Sequence, residues 1–196
     1  MKRYLLIFFL VFTVMISFSQ KRKAIDVYLI GGQSNATGQG YMKNIPADFE
    51  IDKSVRFFYS HYLGGGGTAM EWGPLCQASE TPDKFGVELS MGTRLKQLNP
   101  DREIALIKHA LSGSNLYEQW NPGKNKKDTA NFGPEFRKFI HTIEAGLREL
   151  EAKGYNPEIK AMVWQQGEAD ARDIAGKENN RNYGAAGTIY RKGRST

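Results

Sequence analysis

The sequence predicts an α/β fold in which helices cover both faces of a parallel β-sheet. Three observations support this prediction: short apolar segments typical of buried strands, longer segments with helical periodicity between them, and a globular composition with 40% hydrophobic and 24% charged residues. Strands that alternate with helices are joined by right-handed crossovers, which make neighbouring strands parallel. The 196 residues suit a single domain of ordinary size.

Four segments are predicted to be buried strands because they are short, apolar and bounded by turn residues. They are DVYLIGG (26–32), VRFFYS (55–60), EIALIKHA (103–110) and AMVWQQG (161–167).

Two segments between these strands are predicted to be helices. In the first, 85–98, apolar residues recur every three or four positions. The second, 133–154, has a longer apolar stripe, and Pro134 suits its first turn and Gly154 its end. The first stripe consists of Val87, Met91, Leu95 and Leu98, and the second of Phe136, Phe139, Ile140, Ile143, Leu147 and Leu150.

The N-terminus has the pattern of a secretory signal peptide. A basic start is followed by the apolar run Leu5–Ile16 and by small residues, and the run is too short to span a bilayer comfortably. We therefore expect a signal over residues 1–19 and a domain over 20–196, secreted or periplasmic and without stable membrane insertion after cleavage. The alternative is an uncleaved N-terminal anchor, which also places the domain outside the cytoplasm.

Charge and cysteine content exclude several classes of partner. The formal net charge is +6, but the basic residues are scattered apart from two short runs and form no patch interleaved with aromatic residues. Nucleic acid is therefore not an expected partner. Cys76 is the single cysteine, so the chain can form no internal disulfide and no cysteine metal cluster, and a buried thiol is expected there.

The ends of three predicted strands are polar and rich in glycine: GGQSN, ALSGSN and WQQGEAD. Ligands of open parallel α/β sheets bind at the carboxyl ends of the strands, so these three segments converge if their strands are neighbours. The first lacks both the P-loop and the dinucleotide-binding spacing. It matches the G-x-S-x-G nucleophile turn up to Ala36, which replaces the last glycine, so a nucleophile at Ser34 and an ordinary structural turn both remain open.

The other two segments favour acyl transfer. Ester hydrolysis needs hydrogen-bond donors aimed at the developing oxyanion. The backbone N–H groups of Ser34 and Gly113 are suitable donors, and so is the side-chain amide of Gln166, which cannot ionise. A serine, a glycine and an amide at three strand ends therefore make a coherent acyl-transfer site.

The segments IGGQSNATG, IALIKHALSGSNL and VWQQGEADA resemble three motifs of the SGNH-hydrolase superfamily, in its sialate O-acetylesterase-like (SASA) carbohydrate esterase branch. The resemblance covers about residues 26–182. It implies a flavodoxin-like, three-layer α/β/α sandwich whose last strand and helix are missing from this chain. It also implies a serine esterase that uses no metal or cofactor and removes acetyl groups from an acetylated sugar or polysaccharide.

The resemblance assigns roles to individual positions. Ser34 would be the nucleophile, its own N–H and that of Gly113 would form the oxyanion hole, and Gln166 would supply the side-chain donor. Glu168 and Asp170 would either line the pocket or brace the loop. The substrate-binding or supporting positions are Gln33, Asn35, Trp120, Glu168 and Asp170. For Trp120 two roles remain open, packing against a sugar ring and anchoring its loop.

The histidine of the family pattern is missing. The family takes its base from an Asp-x-x-His motif near the C-terminus, and none of the three histidines, His61, His109 and His141, fits that motif. We expect that the chain is truncated or reads out of frame from about Gly184. Two further interpretations remain, a non-catalytic carbohydrate-binding pseudoenzyme and, more weakly, a lipase- or thioesterase-like protein.

Overall fold

A computed structural model describes residues 22–61 and 67–172 of the chain. Its central sheet has five strands in the order β4-β3-β6-β1-β7. All neighbouring strands are parallel except β4, which runs antiparallel to β3 at one edge. The strands are β1 (Lys23–Gly32), β3 (Arg56–Tyr59), β4 (Trp72–Pro74), β6 (Glu103–Ala110) and β7 (Tyr155–Gln165).

Four helices and a second, very small sheet complete the described part of the chain. Strands β2 (Gly40–Tyr41) and β5 (Lys84–Phe85) pair with each other and not with the central sheet. The helices are α1 (Ser34–Thr37), α2 (Val87–Leu98), α3 (Pro134–Ala152) and α4 (Glu168–Arg172), and two 3₁₀ turns span Met42–Asn44 and Thr129–Asn131.

The core is divided by the sheet, because successive side chains of a strand point to opposite faces. In β6, Leu106 packs on the face that carries α2, where Leu89 of α2 is fully buried. Ile107 packs on the opposite face, together with Phe139 and Leu150 of α3. The helices therefore cover both faces of the sheet, and the predicted three-layer α/β/α architecture is confirmed.

The predicted elements agree best where the strand is buried. Strand β6 has its predicted bounds, whereas β7 begins at Tyr155, six residues before the predicted start. The added residues alternate between polar and less polar side chains and include Pro157. An edge strand tolerates this proline, because proline has no backbone N–H and an edge strand needs no donor on its open side. Strands β2, β4 and β5 were not predicted, because two or three residues carry too little periodicity.

The predicted signal segment and the chain from Gly184 onwards lie outside the described residues. Within residues 22–61 and 67–172, no helix combines the length and the apolar character that crossing a membrane requires. Cys76 carries a free thiol that is half-buried rather than buried, and its burial raises the pKa of that thiol.

Candidate active site

The three polar segments meet where the carboxyl ends of β1, β6 and β7 lie side by side. Gly32, at the end of β1, pairs with Ala110 of β6 on one side and with Gln165 of β7 on the other. The strands that carry the segments are therefore neighbours, as the convergence of these segments requires. The backbone of Gly32 has φ 135°, and a Cβ there would lie 2.0 Å from the Gln165 carbonyl oxygen, so only glycine fits where the first segment leaves the sheet.

Ser34 begins the short helix α1. Gln33 precedes it without a side-chain cap, and the N–H of Ser34 has no acceptor among the described residues. The Ser34 carbonyl oxygen accepts the Gly38 N–H (3.0 Å) and the Thr37 hydroxyl (2.8 Å). Hydrogen bonds within α1 thus hold the turn. The backbone N–H of Ser34 is left without an acceptor among the described residues, and it lies next to the half-buried Ser34 side chain.

The residues on either side of Ser34 bind the segment that follows β7. The buried Gln33 accepts the Ala169 N–H through Oε1 at 3.3 Å. The exposed Asn35 donates from Nδ2 to the Glu168 carboxylate at 2.5 Å. These two hydrogen bonds hold the segment after β1 against the segment after β7. The Glu168 carboxylate therefore contacts Asn35, the residue that follows Ser34.

Gly113 lies on the other side of Ser34, in the segment after β6. It has φ 73°, is exposed, and its N–H has no acceptor among the described residues. Its neighbour Ser112 is tied to α1 through a 3.0 Å contact between its hydroxyl and that of Thr37. The second segment is therefore joined to α1, and it brings a second open backbone donor to this edge of the sheet.

Gln166 and Asp170 brace the loop in this structure. The Gln166 amide donates to the Ser114 carbonyl oxygen at 2.8 Å and lies 3.4 Å from an Asp170 oxygen. Asp170 is buried, and its two oxygens accept the Leu116 N–H at 2.9 and 3.0 Å. The amide protons of Gln166 thus already have acceptors, so the structure differs from the expectation that this side chain points at an oxyanion.

Trp120 is part of the core and is only 2% exposed. Its indole N–H donates to the Ser114 hydroxyl at 2.7 Å, and its ring packs edge-on against Trp164, with centroids 4.9 Å apart. Of the two roles considered for Trp120, the structure therefore supports the loop anchor. The idea that it packs against a sugar ring is corrected, because the buried ring offers no free face.

Lys108 is a supporting residue that the motifs did not reveal. Its fully buried ammonium donates to the Thr37 carbonyl oxygen in α1 (2.9 Å), to the Ala78 carbonyl oxygen (2.8 Å) and to the buried Glu88 carboxylate (2.7 Å). Burial lowers the pKa of Lys108, and the Glu88 carboxylate opposes that shift. A lysine inside the apolar segment EIALIKHA was the available signal, since a lysine is buried only with partners.

His109 is fully buried and both its ring nitrogens are engaged. Nδ1 lies 2.6 Å from the Ser60 hydroxyl, and Nε2 lies 3.0 Å from the Glu135 carboxylate. Burial lowers the pKa of His109 to about 4, so the ring is neutral at pH 7. Nε2–H therefore donates to Glu135, and Nδ1 accepts a hydrogen bond from the Ser60 hydroxyl.

The other two histidines do not contact Ser34 either. His61 is half-buried, its Nδ1 lies 2.9 Å from the Ser60 hydroxyl, and burial lowers its pKa. His141 is exposed on α3. Within the described residues, no imidazole is hydrogen-bonded to the Ser34 hydroxyl, and no group of three His, Cys, Asp or Glu side chains is arranged to hold a metal ion.

Comparison with known families shows which group of proteins this sequence matches. A family model described as carbohydrate esterase, sialic acid-specific acetylesterase (SASA), matches residues 24–186. Comparison with curated protein sequences gives no match.

Two solved structures share the fold. A protein from Arabidopsis thaliana aligns with a TM-score of 0.57 at 18% sequence identity, over 81% of this chain and 64% of that protein. The protein NanS aligns with a TM-score of 0.55 at 17% identity, over 79% of this chain and 57% of NanS. The chain thus spans less than two thirds of the length of either structure.

Proposed function

The chain belongs to the SASA family of sialic acid-specific carbohydrate esterases, and we propose that Ser34 is the nucleophile of a site that removes acetyl groups from acetylated sugars. One observation carries the proposal. The segment after β1 places Ser34 at the uncapped start of α1, between the segments that follow β6 and β7. Two backbone N–H groups without acceptors among the described residues, at Ser34 and Gly113, lie at this same edge.

The proposed reaction proceeds in two steps. The Ser34 oxygen attacks the acetyl carbonyl carbon, its proton passes to a base, and the N–H groups of Ser34 and Gly113 stabilise the oxyanion. The sugar hydroxyl then leaves with a proton, and acetyl-Ser34 remains. Water attacks this ester in the second step, releases acetate and restores the serine hydroxyl.

The base is the part of the mechanism that the described residues do not provide. A serine hydroxyl is a weak nucleophile until a neighbouring base accepts its proton. His109 is occupied by Ser60 and Glu135, and the sequence contains no Asp-x-x-His. We propose that the base is an imidazole of the kind that the Asp-x-x-His motif of the family pattern supplies.

The same observation favours a second candidate, a carbohydrate-binding domain without hydrolytic activity. A pocket that keeps its donors but has no imidazole at Ser34 can hold an acetylated sugar without cleaving it. The rate acceleration that an oxyanion hole and substrate binding give without a base is small compared with that of a complete catalytic site.

Hydrolysis of p-nitrophenyl acetate by three proteins tests the proposal: the chain itself, the chain completed with an Asp-x-x-His segment from a relative, and the completed chain carrying Ser34→Ala. We expect clear activity in the completed protein and a loss of at least about 10³-fold in its Ser34→Ala variant, because removal of the nucleophile removes the covalent step. Ser90→Ala, on the exposed side of α2, is the matched control and should leave the rate unchanged.

Two results would contradict the proposal. Equal rates with and without Ser34 would show that another group carries the reaction. Binding of acetylated sugars without hydrolysis in any of the three proteins would favour the second candidate.

A further inference from the structure

A second serine, Ser60, follows the carboxyl end of β3 and belongs to a chain of hydrogen bonds that does not include Ser34. The Ser60 hydroxyl lies 2.6 Å from His109 Nδ1, and His109 Nε2 lies 3.0 Å from the Glu135 carboxylate. Because the ring is neutral at pH 7, its unprotonated Nδ1 faces the hydroxyl and its Nε2–H faces the carboxylate. A nucleophile, a base and an orienting carboxylate require this arrangement of protons. We call Ser60, His109 and Glu135 the Ser60 triad.

Two aromatic neighbours hold the His109 ring in this orientation. His61 stacks on it, with ring centroids 5.3 Å apart and an interplanar angle of 12°, and Trp120 packs against it at 5.4 Å. The backbone of Ser60 is fixed as well, because its N–H donates to the Lys108 carbonyl oxygen at 3.1 Å. The Ser60 triad is therefore preorganised, and proton transfer within it needs little rearrangement.

A cleft of about 350 Å³ gives access to the Ser60 triad, between the end of β3 and α3. Ser60 is half-buried and lines this cleft, whereas His109 and Glu135 are buried. Met70 also lines it and has φ 59°, a left-handed conformation that no other non-glycine among the described residues adopts. Such unfavourable conformations are concentrated at functional sites. The volume is at the lower end of the range for small-molecule sites, so a ligand of this cleft must be small.

We propose that Ser60 is the nucleophile of a second acyl-transfer site, which takes the acyl group of a small ester bound in this cleft. The Ser60 oxygen attacks the carbonyl carbon, and its proton passes to His109 Nδ1. The bond between that carbon and the alcohol oxygen then breaks, the alcohol takes the proton from His109, and acyl-Ser60 remains. Water attacks acyl-Ser60 with the help of the same base, which releases the carboxylic acid and restores the Ser60 hydroxyl.

The charges around the Ser60 triad support these steps. When His109 accepts the proton it becomes an imidazolium, and the buried Glu135 carboxylate at Nε2 stabilises that charge. The Lys138 ammonium lies 3.0 Å from Glu135 and lines the cleft, and its remaining N–H donors stabilise the oxyanion. Burial lowers the pKa of His109 to about 4, which makes this imidazole a weak base and the site slower than a complete hydrolase site.

The test labels the full chain carrying Ser34→Ala with diisopropyl fluorophosphate, so Ser34 cannot contribute. A serine that is activated by a base attacks the phosphorus, fluoride leaves, and the serine proton is released through the base to water. The phosphoester that remains is stable, and mass spectrometry of peptides assigns it to a residue. Labelling rates are measured for Ser34→Ala alone and with one further change: Ser60→Ala, His109→Gln, Glu135→Gln or Met70→Trp. Ser90→Ala is the matched control, because this exposed serine on α2 lies outside both sites.

We expect the label on Ser60, no label at that position in Ser60→Ala, and an unchanged rate in Ser90→Ala. His109→Gln should slow the labelling of Ser60 by at least about 10²-fold, which is the usual contribution of a general base. Glu135→Gln keeps an acceptor but loses the charge, so it should slow labelling by roughly tenfold or more. Met70→Trp should slow it by filling the cleft while the hydrogen bonds of the Ser60 triad remain. Circular dichroism confirms that each variant is folded, and Glu135→Gln and Met70→Trp decide if His109→Gln is not.

A folded Ser34→Ala chain that takes no label at Ser60 would overturn the inference, as would equal labelling rates in His109→Gln, Glu135→Gln and the Ser34→Ala chain. Label distributed equally over exposed serines such as Ser54 and Ser90 would overturn it as well, because Ser60 would then be no more reactive than an ordinary serine. None of these results bears on Ser34, whose role is decided by the hydrolysis assay.

Discussion

Lys108 and His109 are consecutive residues at the end of β6, and each is the centre of a buried polar network on its own face of the sheet. On the α2 face, Lys108 is bound to Thr37, Ala78 and Glu88. On the α3 face, His109 is bound to Ser60 and Glu135.

The two networks differ in what they hold. The Lys108 network reaches the carbonyl of Thr37, the last residue of α1, and so supports the turn that begins with Ser34. The His109 network joins β6 to the end of β3 and to α3, and none of its hydrogen bonds reaches α1. A buried polar network close to a candidate site therefore need not support that site. The hydrogen bonds show that Lys108 supports α1, whereas His109 does not contact it.

Three substitutions test whether the two networks are independent. Of these, Lys108→Met should lower the free energy of unfolding most. It removes one partner of a buried ion pair and leaves the Glu88 carboxylate uncompensated, which costs about 3–5 kcal/mol. Urea unfolding measures the loss. Hydrogen exchange should also show faster exchange of the Thr37 and Gly38 amides, whose hydrogen bonds define α1.

Lys153→Met is the control for Lys108→Met, because the same substitution at an exposed lysine should change stability by less than about 0.5 kcal/mol. Protection of α1 amides that is unchanged in Lys108→Met would show that Lys108 stabilises the core without positioning the Ser34 segment.

His109→Gln should change the pH dependence of stability by a smaller amount. The pKa of His109 is about 4 in the folded protein against an ordinary value of 6.5, so between these values the unfolded chain binds a proton that the folded chain does not. The contribution of His109 to the free energy of unfolding is therefore nearly constant well above pH 6.5 and falls as the pH drops towards 4. Between pH 7 and 5 the loss should be about 2 kcal/mol. Glutamine removes this loss, because it cannot ionise.

Urea unfolding of both proteins at pH 7 and pH 5 checks this prediction. His61 contributes in the same direction, since burial also lowers its pKa, so His61→Gln is the matched comparison. An equal loss between the two pH values in the unmodified chain and in His109→Gln would contradict the prediction.

The sequence predicted the central parts of the fold because burial leaves a clear pattern. The segment EIALIKHA is β6 at its predicted bounds, and the two helical stripes correspond to α2 and α3 within about two residues. The β2–β5 pair was missed, because its four residues take their conformation from long-range contacts rather than from their own pattern.

The sequence predicted which three segments meet at the carboxyl ends of the strands, but not how their side chains are arranged. Motifs marked Ser34, Gly113 and the segment after β7, and the sheet register brings their strands together. Motifs say nothing about where a side chain points. The Gln166 amide is therefore used by Ser114, and the Trp120 ring is buried, although both residues lie in the expected segments.

Ser60→Ala should have the smallest effect of the three changes and should leave the Ser34 segment unaltered. The Ser60 hydroxyl donates to His109 Nδ1 at 2.6 Å and accepts from His61 Nδ1 at 2.9 Å. Its removal leaves one buried acceptor without a partner, which costs about 1–2 kcal/mol, while the half-buried His61 can turn to water.

Urea unfolding gives this cost, and hydrogen exchange of the Thr37 and Gly38 amides should match that of the unmodified chain after correction for global stability. Ser54→Ala is the matched control, because this exposed serine donates its hydroxyl hydrogen bond to Asp52. Faster exchange of α1 amides in Ser60→Ala would mean that the two networks are coupled through β6. In that case the separation of the Lys108 and His109 networks would be wrong, because a change on the α3 face would have loosened the turn that carries Ser34.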